Sequence, residues 1–218
     1  MRMAERNLLN AMAGTIKPHG KKTVKQEKIL AAAITLFAEK GYSNTSTAEI
    51  AKMAEVAEGT IFKHYGTKKN LLMSLLVPFI KDFLPVMADE LVEELMGEGT
   101  SFEDFLKNLL KNRTAFFLEN REIFQIFIKE LIYKEELKNE LLPCIIKNGS
   151  SRLIKVIESF QKRGELVDGT PEFILKTLGT MISGFFISRF VLLNRHSISD
   201  EEIDEITFSI LNGVGKVT

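Results

Sequence analysis

The stretch EVAEGTIFKHYGTKKN, residues 55–70, decides how the rest of the chain is read. Residues 58–65 within it fit one short helix. At about 100° per residue, Ile61, Phe62 and Tyr65 share an arc roughly 100° wide, and Gly59, Thr60, Lys63 and His64 fall opposite. The first arc calls for a core, so truncating Phe62 to Ala is expected to cost about 3 kcal/mol if the ring is fully buried. The second arc places a residue without a side chain beside a hydroxyl, a cation and an imidazole. Glycine in a helix costs about 1 kcal/mol against alanine. That cost makes sense if a foreign backbone approaches at Gly59 while the other three meet phosphates and base edges. The competing reading is a plain solvated face, and the flanking segments bear on it.

Upstream, TVKQEKILAAAITLFAEKG repeats apolar residues at Ile29, Ala33, Leu36 and Phe37, the spacing of one helix face, with Gly41 as its stop. Ser46 and Glu49 have the S-x-x-E form of a capping box leading into Ile50, Met53 and Ala54. Thr67 reads as the N-cap of a longer helix from Lys68. Three short helices in about 45 residues, the last two joined by a tight turn, match a helix-turn-helix. Thr47 and Lys68 then sit in first turns, where free N–H groups and the helix dipole favour phosphate.

Charge follows the same division. Residues 1–70 carry 12 Lys/Arg against 6 Asp/Glu, while the remainder carries 17 against 23. A basic first third joined to an acidic remainder points to a polyanionic partner for the former.

Beyond residue 68 the helices lengthen. Segments are expected from Lys68 towards Met96, then over roughly 102–119, 121–133, 136–163, 171–194 and 200–214. Pro78 and Pro85 should kink or break the first, and Pro143 and Gly149 should interrupt the 136–163 helix. The run FILKTLGTMISGFFISRFVLL has only 12 uncharged residues between Lys176 and Arg189. A membrane span needs about 20 mostly apolar residues, so this run is expected to be a buried helix. The start of the sequence lacks the apolar run of a signal peptide. A single cysteine, Cys144, excludes an internal disulfide. Both fit a cytoplasmic protein, with no membrane partner expected.

Enzymatic signals are weak. His19, His64 and His196 lack metal-ligand spacing, and no nucleophile-elbow, phosphate-loop or zinc-protease motif occurs. No catalytic residue, metal or cofactor is therefore expected. An all-helical enzyme, or an interaction module without sequence-specific DNA binding, is the alternative kept.

AEKGYSNTSTAEIAKMAEVAEGTIFKHYGTKKNLL, residues 38–72, resembles the DNA-binding domain of the TetR family of bacterial transcriptional regulators. The matching positions are Gly41-Tyr42, Thr45-Ser46-Thr47, Ile50-Ala51, Val56, Gly59-Thr60-Ile61-Phe62, His64-Tyr65 and Lys68. Phe62 departs from the family's usual tyrosine, and Ala57 from a frequent capping serine. The resemblance implies an all-α chain in three parts. These are a basic arm at 1–22, a helix-turn-helix domain at 23–68, and a helical ligand-binding and dimerisation domain at 69–218. It places Thr47, Gly59, Thr60, Lys63, His64 and Lys68 at or near double-stranded DNA, on a palindromic operator bound by a homodimer. The arm either adds DNA contacts or is idle. The resemblance also implies a cavity for a small lipophilic effector, with Phe105, Phe116, Phe127 and Met181 as candidate walls. It implies pairing of the last two helices across a dimer, where Gly179, Ser183, Gly184 and Ile187 are the interface candidates. Repression relieved by the effector is the mode expected.

Overall fold

The computed structural model describes residue 8 and residues 23–214, apart from the side chains at 82–88, 144–152 and 214. The expectations for the basic arm and for the Cys144 side chain lie outside the described residues.

Three short helices come first: α1 (Val24–Lys40), α2 (Thr47–Met53) and α3 (Glu58–Tyr65). Their starts are chemically marked. Thr23 forms a capping box with Gln26, and Ser46 forms the expected one with Glu49. In the latter, Ser46 Oγ accepts from the Glu49 amide at 3.1 Å while the Glu49 carboxylate accepts from the Ser46 amide at 2.9 Å. Lys40 also donates to Glu49 at 2.7 Å, and these bonds hold the Glu49 pKa down at about 2. Gly41 and Gly66 end α1 and α3 with φ of +81° and +73°, a region that L side chains rarely enter.

α4 (Lys68–Leu95) starts at Thr67, whose hydroxyl accepts from the Asn70 amide at 3.0 Å. α5 (Phe102–Glu119), α6 (Arg121–Tyr133) and α7 (Glu135–Lys162) follow, then α8 (Pro171–Phe186) and α9 (Asp200–Val214). A π-helical stretch, Ile187–Leu192, prolongs α8. No β-strand occurs among the described residues.

The expected breaks do not occur. α4 runs unbroken through Pro78 and Pro85, and α7 through Pro143 and Gly149. An interior proline forfeits one backbone bond, but α4 and α7 pack on each other. Around Pro78, Leu75, Leu76 and Phe79 are all buried, and this burial holds the helix through the defect.

Two apolar clusters organise the packing. The first joins Ile29, Phe37, Ile50 and Ile61 of the short helices to Leu71 through Phe79 of α4, and runs on into Ile123 of α6 and Leu141 of α7. The second joins Phe102 and Leu106 of α5 to Phe160 of α7, Phe186 of α8, Phe190 and Ile210. α6 therefore lies against both.

Charged groups tie α6 to the short helices as well. Glu122 accepts from the Tyr42 and Ser43 amides at 3.1 and 2.8 Å, and from the Ser43 hydroxyl. Glu130, 7% exposed, pairs with Lys69 at 2.8 Å and Lys134 at 3.0 Å. Its burial works to raise its pKa, but the two lysines outweigh this and hold it below the usual carboxylate value.

The apolar run at 171–192 departs from the expectation of a fully buried helix. By length and composition it could cross a membrane, with mean hydropathy 1.3, yet only 28% of its most apolar window is covered within the chain. It packs on α7 and α9 along one side. Phe173, Leu192, Leu193 and, on α9, Phe208 remain exposed at 62%, 74%, 63% and 69%.

Candidate functional site

α3 is short, and a single residue anchors it. Ile61 is 1% exposed, Tyr65 is half-buried, and burial raises the Tyr65 pKa. Phe62 is 47% exposed, so the expectation that its ring completes the core is corrected. The reason is angular. Tyr65 lies about 40° from Ile61 on the wheel and Phe62 about 100° away, at the edge of the apolar arc. Phe62 thus joins Gly59, Lys63 and His64 on the exposed face, with Thr60 half-buried at its margin.

That face is open. A Cβ built on Gly59 meets nothing within 4 Å, so nothing in the fold itself requires glycine there. Lys63 makes no hydrogen bond or ion pair among the described residues. The His64 ring sits edge-on to Tyr65 with centroids 6.3 Å apart. Thr47, at the start of α2, donates its hydroxyl to Glu58 at 2.5 Å, which ties the two helix starts together.

Lys68 departs from the expectation of a free first-turn cation. Its ammonium donates to the Tyr42 and Thr45 carbonyls at 2.8 and 2.7 Å and lies 4.3 Å from the centre of the Tyr42 ring. Partial burial lowers its pKa. The side chain locks the α1–α2 turn against α4. Lys69, half exposed, pairs with the buried Glu130.

Ala57 is the N-cap of α3 and supplies no side-chain bond, as the sequence indicates. Its φ of −69° and ψ of 141° suit a capping residue. Ala57→Ser should stabilise the protein by about 1 kcal/mol. The readout is the urea midpoint at unchanged m-value, and an unmoved midpoint would show that the first turn of α3 gains nothing from a cap.

A cavity of about 310 Å³ lies between α5, α6, α7 and α8. Phe105 is one of its walls, with Phe117, Phe124, Ile157, Leu178 and Phe186 among the others. Phe116 and Phe127 pack instead on the cluster of the short helices, and Met181 borders a polar groove between α8 and α9 that contains Arg189 and Glu202. Of the interface candidates, Gly179, Ser183 and Ile187 border the cavity and Gly184 the polar groove. Sequence reasoning missed Arg113 in the cavity wall. The signal was present, because Arg113 falls on the same helical stripe as Leu106, Leu109, Leu110 and Phe117.

Comparison with known proteins covers the same elements. The family of bacterial regulatory proteins called the tetR family matches residues 29–75, the span from α1 into α4. Two curated Bacillus subtilis relatives extend further. The chain is 26% identical to the HTH-type transcriptional regulator YerO over 73% of its own length and 65% of YerO's. It is 27% identical to the HTH-type transcriptional regulator YvkB over 78% of its own length and 85% of YvkB's. The fold is also that of Thermus thermophilus FadR, a TetR-family transcriptional repressor solved in complex with lauroyl-CoA. The two superpose with a TM-score of 0.55 at 20% identity, covering 86% of this chain and 94% of that one. The short-helix module, the matched span and the regulator relatives agree, and residues 29–75 match the tetR family of bacterial regulatory proteins.

Proposed function

We propose that the chain is a ligand-responsive transcriptional regulator of the cytoplasm, acting as a repressor on a palindromic operator. The observation that carries this reading is the exposed face of α3, where Gly59, Phe62, Lys63 and His64 stand clear of the fold while Ile61 anchors the helix. A helix presented in this way suits the major groove. Thr47, Thr60 and the backbone start of α4 at Lys68 complete the surface assigned to DNA. Residues 23–68 form the DNA-binding part, and residues 69–218 the ligand-binding and dimerisation part.

The dimer rests on the α8–α9 face. Apolar surface as large as Phe173, Leu192, Leu193 and Phe208 is costly in water and marks an interface. A second copy placed there buries it isologously and presents two α3 helices to successive major grooves. Gly179, Ser183, Gly184 and Ile187 stay assigned to this region, at the boundary it shares with the cavity.

The effector is a small lipophilic molecule held in the apolar cavity, with Phe105 as one wall. α6 is the element suited to couple the two parts. Phe124 and Ile128 face the cavity, while Glu122 and Glu130 hold the α1–α2 turn and Lys69. A ligand releases the operator only by binding one arrangement of α6 better than another.

Fluorescence anisotropy with duplexes selected from a random pool tests the proposal. The expected result is two chains per palindromic site, affinity that falls steeply with salt, and a further fall of about tenfold once the cavity is filled, within the usual range of coupling. Absence of any selected sequence, or binding insensitive to salt, would overturn it.

A further inference from the structure

The cavity between α5, α6, α7 and α8 is walled by carbon. Phe102, Phe105, Phe117, Phe124 and Phe186 line it with aliphatic side chains, and almost no polar surface reaches its interior. Two wall residues carry polar side chains, Arg113 and Ser183. Both spend their polar groups elsewhere. The Arg113 guanidinium bonds Oδ1 of Asn112, from Nε at 3.2 Å and Nη2 at 2.6 Å. It also lies 5.0 Å from the centre of the Phe116 ring, which packs on the cluster of the short helices. The aliphatic stem of Arg113 is what borders the cavity. The Ser183 hydroxyl donates to the Thr180 carbonyl in its own helix at 3.3 Å. Gly179 adds only backbone within α8.

A site built this way recognises shape and apolar surface and offers no partner to a polar group. A hydroxyl or amide taken from water into it forfeits its hydrogen bonds, and an ionised carboxylate or ammonium forfeits far more. A hydrocarbon forfeits none, and it restores to the wall the dispersion contacts that a void denies. Part of the wall is already fixed by its own packing, because the Phe117 ring is centred 4.3 Å from Phe124 and 4.8 Å from Phe186. The volume of about 310 Å³ is twice that of an apolar cavity of ~150 Å³, which stays dry and takes up benzene. Two fused rings fit that scale.

We propose that the ligand of this cavity is a compact, uncharged hydrocarbon of one or two rings, with no hydrogen-bonding group in its enclosed part. The inference rests on the reading of this cavity as the effector site. It narrows the effector from lipophilic molecules in general to those without a charged or hydrogen-bonding group, selected by shape.

Titration of the full-length protein with naphthalene, 1-naphthol and 1-naphthoate tests this. The chain has no tryptophan, so naphthyl fluorescence is read without an indole background. Naphthalene should bind about tenfold tighter than 1-naphthol, the scale of one hydroxyl buried without a partner, and should raise the melting temperature. 1-Naphthoate should not bind at pH 7. Val156→Thr brings a hydroxyl to the wall and should close the gap between naphthol and naphthalene. Leu175→Phe narrows the cavity from a half-buried position on α8 and should weaken naphthalene binding about tenfold. It also covers the case in which the threonine variant fails to fold.

1-Naphthol or 1-naphthoate binding as tightly as naphthalene would overturn the proposal. So would failure of naphthalene to bind, or naphthalene affinity unmoved by Leu175→Phe. Operator affinity is read in parallel. Naphthol that binds as tightly as naphthalene and releases DNA overturns the hydrocarbon class but leaves the lipophilic-effector reading intact. Selective naphthalene binding that leaves operator affinity unchanged overturns the effector reading but leaves the ligand class of the cavity standing.

Discussion

Ile61→Ala is expected to unfold the DNA-binding part near room temperature, while Phe62→Ala, one residue along, leaves it folded. Ile61 is 1% exposed and is the fully buried side chain of α3. Truncating such a residue costs about 2–5 kcal/mol, set against a total of about 5–15 kcal/mol for a domain. The loss should be large because α3 is only 8 residues long and has no capping side chain, so little else holds it. Phe62 is 47% exposed, and its loss should change stability by less than about 1 kcal/mol. The order reverses on DNA. An exposed ring on a groove-facing helix makes apolar contact with a thymine methyl group, so Phe62→Ala should weaken operator binding about tenfold. Thermal unfolding and anisotropy on the same two variants check the contrast. If Phe62→Ala melted as early as Ile61→Ala, the exposed placement of the ring would be wrong. If it bound operator normally, Phe62 would be a bystander.

Lys63→Glu should cost about 100-fold in operator affinity, because the change acts in both chains of a dimer and turns attraction for phosphate into repulsion. Lys63 has no partner among the described residues, so no ion pair within the fold is lost and the melting temperature should not move. Lys63→Ala should bring a smaller loss and lower the slope of log affinity against log salt by about two for the dimer, one phosphate per chain. Unchanged affinity across salt concentrations would remove Lys63 from the interface. Lys68 supplies the internal comparison. Its ammonium is bonded to the Tyr42 and Thr45 carbonyls, so Lys68→Ala should loosen the α1–α2 turn before it alters any salt slope.

Much of this architecture was legible in the residues. Ser46 with Glu49, Thr67, Ser101 and Thr170 with Pro171 mark helix starts, because a hydroxyl three residues ahead of a free amide is a local matter. Gly41 marks an end for an equally local reason, its positive φ. The period of 3.6 assigned Ile61 inward and Gly59, Lys63 and His64 outward.

What failed required knowing the neighbours. Phe62 lies at the edge of the apolar arc, and only the placement of α2 and α4 decides that a ring 100° from Ile61 is left outside. Pro78, Pro85 and Pro143 read as breaks in an isolated helix, yet packing of α4 on α7 outweighs the single bond each forfeits. Lys68 reads as a free cation until the Tyr42 and Thr45 carbonyls arrive from a turn 23 to 26 residues upstream. Among the aromatic residues, hydrophobicity alone could not separate Phe105, which faces the cavity, from Phe116 and Phe127, which face the other cluster.

The sequence by itself determined the all-helical fold, the helix-turn-helix and the exposed side of α3 at Gly59, Lys63 and His64, because periodicity and capping act within a few residues. The tertiary structure alone decided which aromatic rings enclose the cavity and which lysines remain free. Those outcomes depend on groups far apart in the chain, whose burial and pairing exist only once the helices have packed.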